Sequence, residues 1–202
     1  MKKLLIVLMF LVGSAQAKDE GAFYLGGGYG FTYSSVSVLN EYYLPNDKVD
    51  ARGRYKSIAM QDSSYNFYAG YQFNNIVEVE LSYKDYGTLE KEYFTENPYS
   101  IDFSANLGYN FLNNQFRPFV IVGAGYMYSN SNVLEDNFTV FNLGFGGEYY
   151  PTSFKGVGFR LLAQSDSYIG SGVAYDPSTN RSVSSTLFRY YYMYSVNLAY
   201  RF

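Results

Sequence analysis

The sequence predicts an all-β protein, an eight-stranded antiparallel up-and-down transmembrane β-barrel. Three observations lead there. Apolar residues alternate with polar or small ones at period 2 in segment after segment, which describes strands with one face toward each of two environments. Aromatics make up 21% of the 202 residues, as 25 Tyr and 17 Phe with no Trp, while charged residues make up only 16%. Tyr, an apolar ring with a polar tip, suits a surface that is part lipid and part water. The connections between alternating segments are by turns short and long, as an up-and-down barrel with both termini on one side requires.

The chain begins with an export signal. Lys2 and Lys3 form a basic n-region, Leu4 to Val12 is an unbroken apolar stretch, and Ala15-Gln16-Ala17 presents small residues for cleavage after Ala17. The apolar run is too short for a membrane anchor, which needs about 20 residues. Residues 1–17 are therefore read as a secretory signal peptide and 18–202 as one barrel domain.

The first strand places Phe23, Leu25, Tyr29, Phe31 and Tyr33 on one face and Gly26, Gly28 and Gly30 on the other. The second sets Tyr65, Phe67, Ala69, Tyr71 and Phe73 against Asn66, Tyr68, Gly70 and Gln72, and Asn74-Asn75 turns the chain. Val77, Val79, Leu81 and Tyr83 then oppose Glu78, Glu80, Ser82 and Lys84. The fourth strand carries Tyr99, Ile101, Phe103, Ala105, Leu107, Tyr109 and Phe111 opposite Asp102, Ser104, Asn106 and Gly108, before a polar turn at Asn113-Asn114-Gln115. The fifth, from about Pro118 to Tyr128, is ambiguous, because Phe119 and Ile121 compete with Val120 and Val122. The assignment taken is Val120, Val122, Ala124 and Tyr126 outward. The sixth sets Phe141, Leu143, Phe145 and Tyr149 against Asn142, Gly144, Gly146 and Glu148, with a turn at Pro151-Thr152-Ser153. The seventh sets Val157, Phe159, Leu161 and Ala163 against Gly158, Arg160, Leu162, Gln164 and Asp166. The eighth is the clearest. Phe188, Tyr190, Tyr192, Tyr194, Val196, Leu198, Tyr200 and Phe202 share one face, and Arg189, Tyr191, Met193, Ser195, Asn197, Ala199 and Arg201 share the other. Long loops are expected at about Ser34–Ser57, Asp85–Pro98, Ser129–Asn137 and Ser167–Ser185.

A soluble ligand-binding barrel also alternates, with its apolar face inward. Here the polar face carries Glu78, Glu80, Lys84, Asp102, Glu148, Arg160 and Arg189 beside glycines, so the apolar face is read as meeting lipid. The charged set is read as a lumen network in which Glu78 and Glu80 neutralise Arg160 and Arg189, since desolvated charges need partners. A narrow pore or solute pathway through that lumen is the alternative use of the same residues. The chain has no Cys and no His, which removes thiolate chemistry and the commonest general base and metal ligand. No enzyme activity, cofactor or metal site is expected. A formal net charge of −3 gives no basic surface for nucleic acid. The first long loop, with Tyr42, Tyr43, Leu44, Pro45, Asp47, Lys48, Asp50, Arg52 and Arg54, is a candidate binding surface of unknown ligand.

Three stretches carry a family resemblance: the Gly-rich Phe23-Tyr24-Leu25-Gly26-Gly27-Gly28-Tyr29-Gly30, the segment from Arg117-Pro118-Phe119 to Gly123-Ala124-Gly125-Tyr126, and the terminal strand. The chain resembles the OmpA-like family of small eight-stranded outer-membrane barrels. The resemblance covers the barrel domain alone, with no counterpart of the peptidoglycan-binding domain of the full-length archetype. It implies location in the cell outer membrane, contact with outer-membrane lipid, and a structural or surface-interaction role through external loops. The alternating residues Tyr194, Val196, Leu198, Tyr200 and Phe202 resemble the terminal signal that the barrel-assembly machinery reads in such proteins.

Overall fold

The computed structural model describes residues 21–43, 49–50, 56–91, 94–131, 137–176 and 181–202. The segment read as the export signal lies outside them. Ten β elements follow in chain order: β1 (Ala22–Tyr43), β2 (Val49–Asp50), β3 (Lys56–Gln72), β4 (Val77–Asp85), β5 (Leu89–Lys91), β6 (Phe94–Gly108), β7 (Phe116–Ser131), β8 (Asn137–Tyr149), β9 (Val157–Asp176) and β10 (Arg181–Arg201). Eight of them form the wall, each hydrogen-bonded to its chain neighbour, in the order β1-β3-β4-β6-β7-β8-β9-β10. β1 also pairs with β10, from Tyr24↔Arg201 to Glu41↔Ser184, so the sheet closes on itself and every pairing is antiparallel. Closure satisfies the backbone on every side, the condition for a sheet in hydrocarbon.

One end of the barrel is compact. Between β3 and β4, Asn74 Oδ1 accepts the backbone N–H groups of Ile76 (2.7 Å) and Val77 (2.9 Å), a side chain standing in for a turn's missing acceptor. Between β6 and β7 the backbone bends through Leu112, Asn113 and Asn114, all at positive φ (52°, 56° and 66°). Two of the three are asparagines, which tolerate that region better than other side chains. Both chain ends of the barrel sit here as well, with the Phe202 amide donating to the Phe23 carbonyl at 2.9 Å.

The other end is much taller than expected. The loops read at Ser34–Ser57 and Ser167–Ser185 are largely strand: β1 runs on to Tyr43, β3 starts at Lys56, and β9 and β10 pair out to Asp176↔Arg181. Tyr42, Tyr43 and Asp50 of the candidate binding loop lie in the β1–β2 pairing. Its Leu44, Pro45, Asp47, Lys48, Arg52 and Arg54 lie outside the described residues. At about 3.3 Å per residue and a ~45° tilt, the 22 residues of β1 rise about 50 Å, well beyond the ~30 Å hydrocarbon core.

Polarity explains why this extension reads as loop. In the lower barrel the outward face is apolar, as at Phe67, Phe103, Phe145 and Val196. Higher up the faces exchange roles. Gln61, Ser63, Thr88, Thr95, Asn97, Asn137 and Thr139 are exposed on the outside. Inside, Met60, Tyr86, Leu89, Met127, Phe138, Val140, Tyr191 and Met193 pack into one buried cluster. This is the pattern of a soluble barrel stacked on a membrane barrel. A bulge helps build it. The pairing Asp85↔Tyr99 gives way to Leu89↔Glu96, so one extra residue sits on the β4–β5 side, and Gly87 there takes φ +75°. The insertion flips the side-chain alternation, so that Tyr86 and Leu89 both point inward.

Aromatic girdles bound the apolar band. Tyr65, Tyr83, Tyr99 and Tyr128 form a chain of ring contacts at the upper boundary, with centroids 6.4, 5.8 and 4.9 Å apart. Tyr33, Tyr190 and Tyr192 continue it across β1 and β10. Phe23–Tyr71, Tyr71–Phe73, Tyr109–Phe111 and Tyr200–Phe202 mark the lower one. Between Phe23 and Tyr33 of β1 the band is 11 residues deep, about 25 Å after tilt, the height of an outer-membrane hydrophobic belt.

Candidate functional site in the lumen

Alternation that turns aromatics to lipid turns the polar residues of the same strands into the lumen, where they meet at four levels. Nearest the turns, Glu78 of β4 pairs with Arg117 Nη1 of β7 at 2.9 Å. Arg201 of β10 stands 3.8 Å from Glu78 and 3.5 Å from Glu148 of β8. One level up, Arg160 of β9 reaches Glu80 Oε2 at 2.5 Å and, through Nε, Glu148 Oε1 at 3.4 Å. Its guanidinium lies against the rings of Tyr68 (4.4 Å) and Phe119 (4.6 Å). Tyr24 Oη and Asn106 Nδ2 donate to the same Glu80 oxygen at 3.1 and 3.2 Å. Arg160 thus joins β4, β8 and β9 across the barrel.

The third level is centred on Lys84. Its ammonium is 2.7 Å from Asp166 Oδ2 and 3.1 Å from Asp102 Oδ2. Ser100 Oγ donates to Asp102 at 2.6 Å and Asn142 Nδ2 to Asp166 at 2.6 Å, and the Tyr86 hydroxyl also donates to Asp166. At the fourth level, inside the extension, Glu96 accepts from Arg189, Tyr191 Oη (2.8 Å) and Ser129 Oγ. Every one of these charged side chains except Arg201 is at most 5% exposed. Burial without pairing would cost several kcal/mol per ion, so the pairs are mutually obligatory.

The structure buries all seven charged residues singled out in the sequence, Glu78, Glu80, Lys84, Asp102, Glu148, Arg160 and Arg189. It corrects one pairing. Arg189 does not meet Glu78 or Glu80; among the described residues it pairs with Glu96, because β10 carries Arg189 up into the extension. Glu96, Asp166, Arg117 and Arg201 complete the set. Asp166 and Arg201 stand at inward positions of the alternation and were legible there. Arg117 precedes the apolar run of its strand, and Glu96 fell in a segment read as loop. The fifth strand faces as assigned, with Val120 and Val122 exposed and Phe119 and Ile121 buried. Tyr194, Val196, Leu198, Tyr200 and Phe202 all point outward, Phe202 being 72% exposed beside the first strand. Among the described residues, no group of three His, Cys, Asp or Glu side chains is gathered as metal ligands.

The crystal structure of Neisserial surface protein A superposes with TM-score 0.51 at 16% identity, covering 91% of this chain and 100% of that one. Outer membrane protein OprG from Pseudomonas aeruginosa gives 0.53 at 14% identity, with 92% and 98% covered. The outer membrane protease OmpT from Escherichia coli gives 0.50 at 7% identity, with 92% and 99% covered. At these identities the likeness concerns the fold. A search of curated proteins finds no match. The family described as outer membrane protein beta-barrel domain matches residues 4–202. With an outward apolar band, two aromatic girdles and a charge-filled lumen already in place, that match over nearly the whole chain settles the assignment: this is an outer-membrane β-barrel protein, and it belongs to that family.

Proposed function

We propose that this protein is a closed, non-enzymatic outer-membrane barrel that holds a rigid polar extension at the cell surface, where it makes contact with its surroundings. The exchange of polarity above the tyrosine girdle carries this reading. A segment with Gln, Ser, Thr and Asn outside and Met, Phe, Val and Leu inside is designed for water, and it stands opposite the compact end where Phe202 meets Phe23. Both catalytic-looking carboxylates of β4 support the non-enzymatic part, since Glu78 and Glu80 are buried against arginines rather than offered to a substrate. The fold shared with a protease does not carry its activity, because function resides in sites and not in barrels. The ion pairs also weigh against the narrow-pore reading: four levels of paired charges fill the lumen of an eight-stranded barrel.

The absence of native cysteine makes the surface reading directly testable. Cysteines introduced as Ser63→Cys and Asn137→Cys on the extension are expected to react with a membrane-impermeant maleimide on whole cells. Asn113→Cys in the β6–β7 turn is expected to react only after the outer membrane is broken. Labelling of Asn113→Cys alone on intact cells would reverse the orientation and end the proposal.

Export through the Met1–Ala17 signal and delivery to the barrel-assembly machinery belong to the same reading. The outward terminal strand ending at Phe202 is the feature offered to that machinery. Phe202→Ser is expected to lower the amount of folded barrel in the outer membrane several-fold, with unfolded protein accumulating in the periplasm. Unchanged yield would remove the assembly role from this residue.

A further inference from the structure

Ladder pairing around the extension stops at two places. Between β8 and β9 the last pair is Phe141↔Ser167, yet β9 runs nine residues further, to Asp176, bonded to β10 alone. Above that pair, residues 137–140 of β8 are bonded to β7 alone. Between β3 and β4 the last pair is Tyr65↔Asp85. From there β3 continues up to Lys56 bonded to β1 alone, while β5 pairs only with β6. Among the described residues, the extension is therefore two antiparallel sheets, a tall β9-β10-β1-β3 and a short β5-β6-β7-β8.

The two edges of the tall sheet differ. At the foot of the β3 edge, Asp62 Oδ1 accepts the backbone N–H of Ser63 (2.7 Å) and Oδ2 that of Thr88 (2.6 Å), a carboxylate standing in for the missing ladder. Lys56 adds a second charge to that strand. Charged side chains are a usual protection of an exposed edge, with proline, bulges and cover as the others. Residues 167–175 of β9 contain no charge and no proline, and their register with β10 runs without a bulge. Phe138 and Tyr168 stack at 4.2 Å across the seam, at its lower end. Next to Tyr168, Ile169 is 68% exposed. Gly170 and Gly172 fall in the same stretch, and a glycine within a strand often marks a place where another backbone comes close.

We propose that the β9 edge of the extension is a docking site for an extended polypeptide segment of a second protein, which adds to the tall sheet as a further strand beyond β9. The proposal rests on the reading that the extension stands at the cell surface. Recognition is of backbone by backbone: main-chain hydrogen bonds hold the added strand, and alternate side chains select it. The edge itself states the chemistry. It offers a row of N–H and C=O groups and no charge, so it fits an uncharged extended segment and gives a folded helical surface nothing to bond. An edge of this kind left bare invites self-association, and a strand docked on it removes that hazard.

The test uses the barrel in lipid nanodiscs, where orientation in the cell plays no part, so its failure is distinct from that of the surface reading. The probe is a fluorescent peptide of alternating Thr and Val, kept soluble by one Lys at each end. Saturable binding is expected, at least tenfold weaker when two adjacent central residues of the peptide are N-methylated, which blocks both of its edges. Along β9, successive N–H groups point alternately to β10 and to the free edge. Of Ser171→Pro and Gly172→Pro, one is therefore expected to keep the ladder and lose at least tenfold in binding. No binding, equal binding of the methylated peptide, or full binding to both proline variants in folded barrels would overturn the proposal. Ser171→Cys gives a second readout that needs no proline to fold. With a peptide carrying one activated disulfide, it is expected to exchange at least tenfold faster than Ser57→Cys on the β3 edge. Equal rates would overturn the assignment to β9. A disulfide-linked pair of Ser171→Cys barrels, formed as fast without peptide, would give the edge to a second copy and overturn the proposal as well.

Discussion

Replacing Arg160 with Leu is expected to destabilise the barrel by about 3–5 kcal/mol, the cost of stranding buried carboxylates, measured as urea unfolding from lipid vesicles. Arg160 is fully buried and is the ion-pair partner of both Glu80 and Glu148. Among the described residues, its removal leaves Glu80 with the neutral donors Tyr24 and Asn106, and Glu148 with Arg201 at 3.5 Å. The loss is that of abandoned charges more than of a favourable contact. For that reason the second substitution Glu80→Gln, added to Arg160→Leu, is expected to recover part of the stability. A double variant less stable than Arg160→Leu alone would mean that the pair does not act as a unit.

The second large effect is expected on the outside. Leu81 of β4 is exposed between Val79 and Tyr83, below the tyrosine girdle. Leu81→Arg should place a charge in hydrocarbon and cost about 2–4 kcal/mol in lipid vesicles, as charges near the midplane of such barrels do. Gln61→Arg, on the exposed face of the extension, should cost within about 0.5 kcal/mol, the usual range for a surface substitution. The contrast is the informative quantity. A soluble barrel with water outside along its whole height would tolerate both changes alike.

The membrane half of this fold is legible in the sequence because one rule governs it. Phe103 alternating with Asp102 and Ser104, or Val196 with Ser195 and Asn197, admits a single orientation once the apolar side is known to face lipid. Pairing order follows from the short turns at Asn74 and Asn113. The extension is not legible by that rule, since Met60, Met127, Phe138 and Val140 stand on the parity that the membrane half reserves for polar residues. Read with one polarity throughout, these stretches look unpatterned and pass for loops. The bulge at Gly87 adds a local change of phase that no fixed period follows. The charged residues of the lumen were visible one strand at a time, but which carboxylate meets which cation depends on strand stagger. Arg189 shows this: it shares the inward face with Arg201, yet the height of β10 takes it to Glu96. In the glycine-rich stretch of β1 the structure places Tyr68 over Gly26 and Asn197 against Gly28, so these glycines make room for side chains from the neighbouring strands.

The central claim is that one continuous wall passes from lipid to water at the tyrosine girdle. Spin labels placed singly along β8 in lipid vesicles test it most directly, at Thr139, Phe141, Leu143 and Phe145, through their relative accessibility to oxygen and to a water-soluble nickel chelate. The account predicts that oxygen dominates at Phe141, Leu143 and Phe145 and that the chelate dominates at Thr139. Chelate access at all four positions, or oxygen dominance continuing through Thr139, would contradict it.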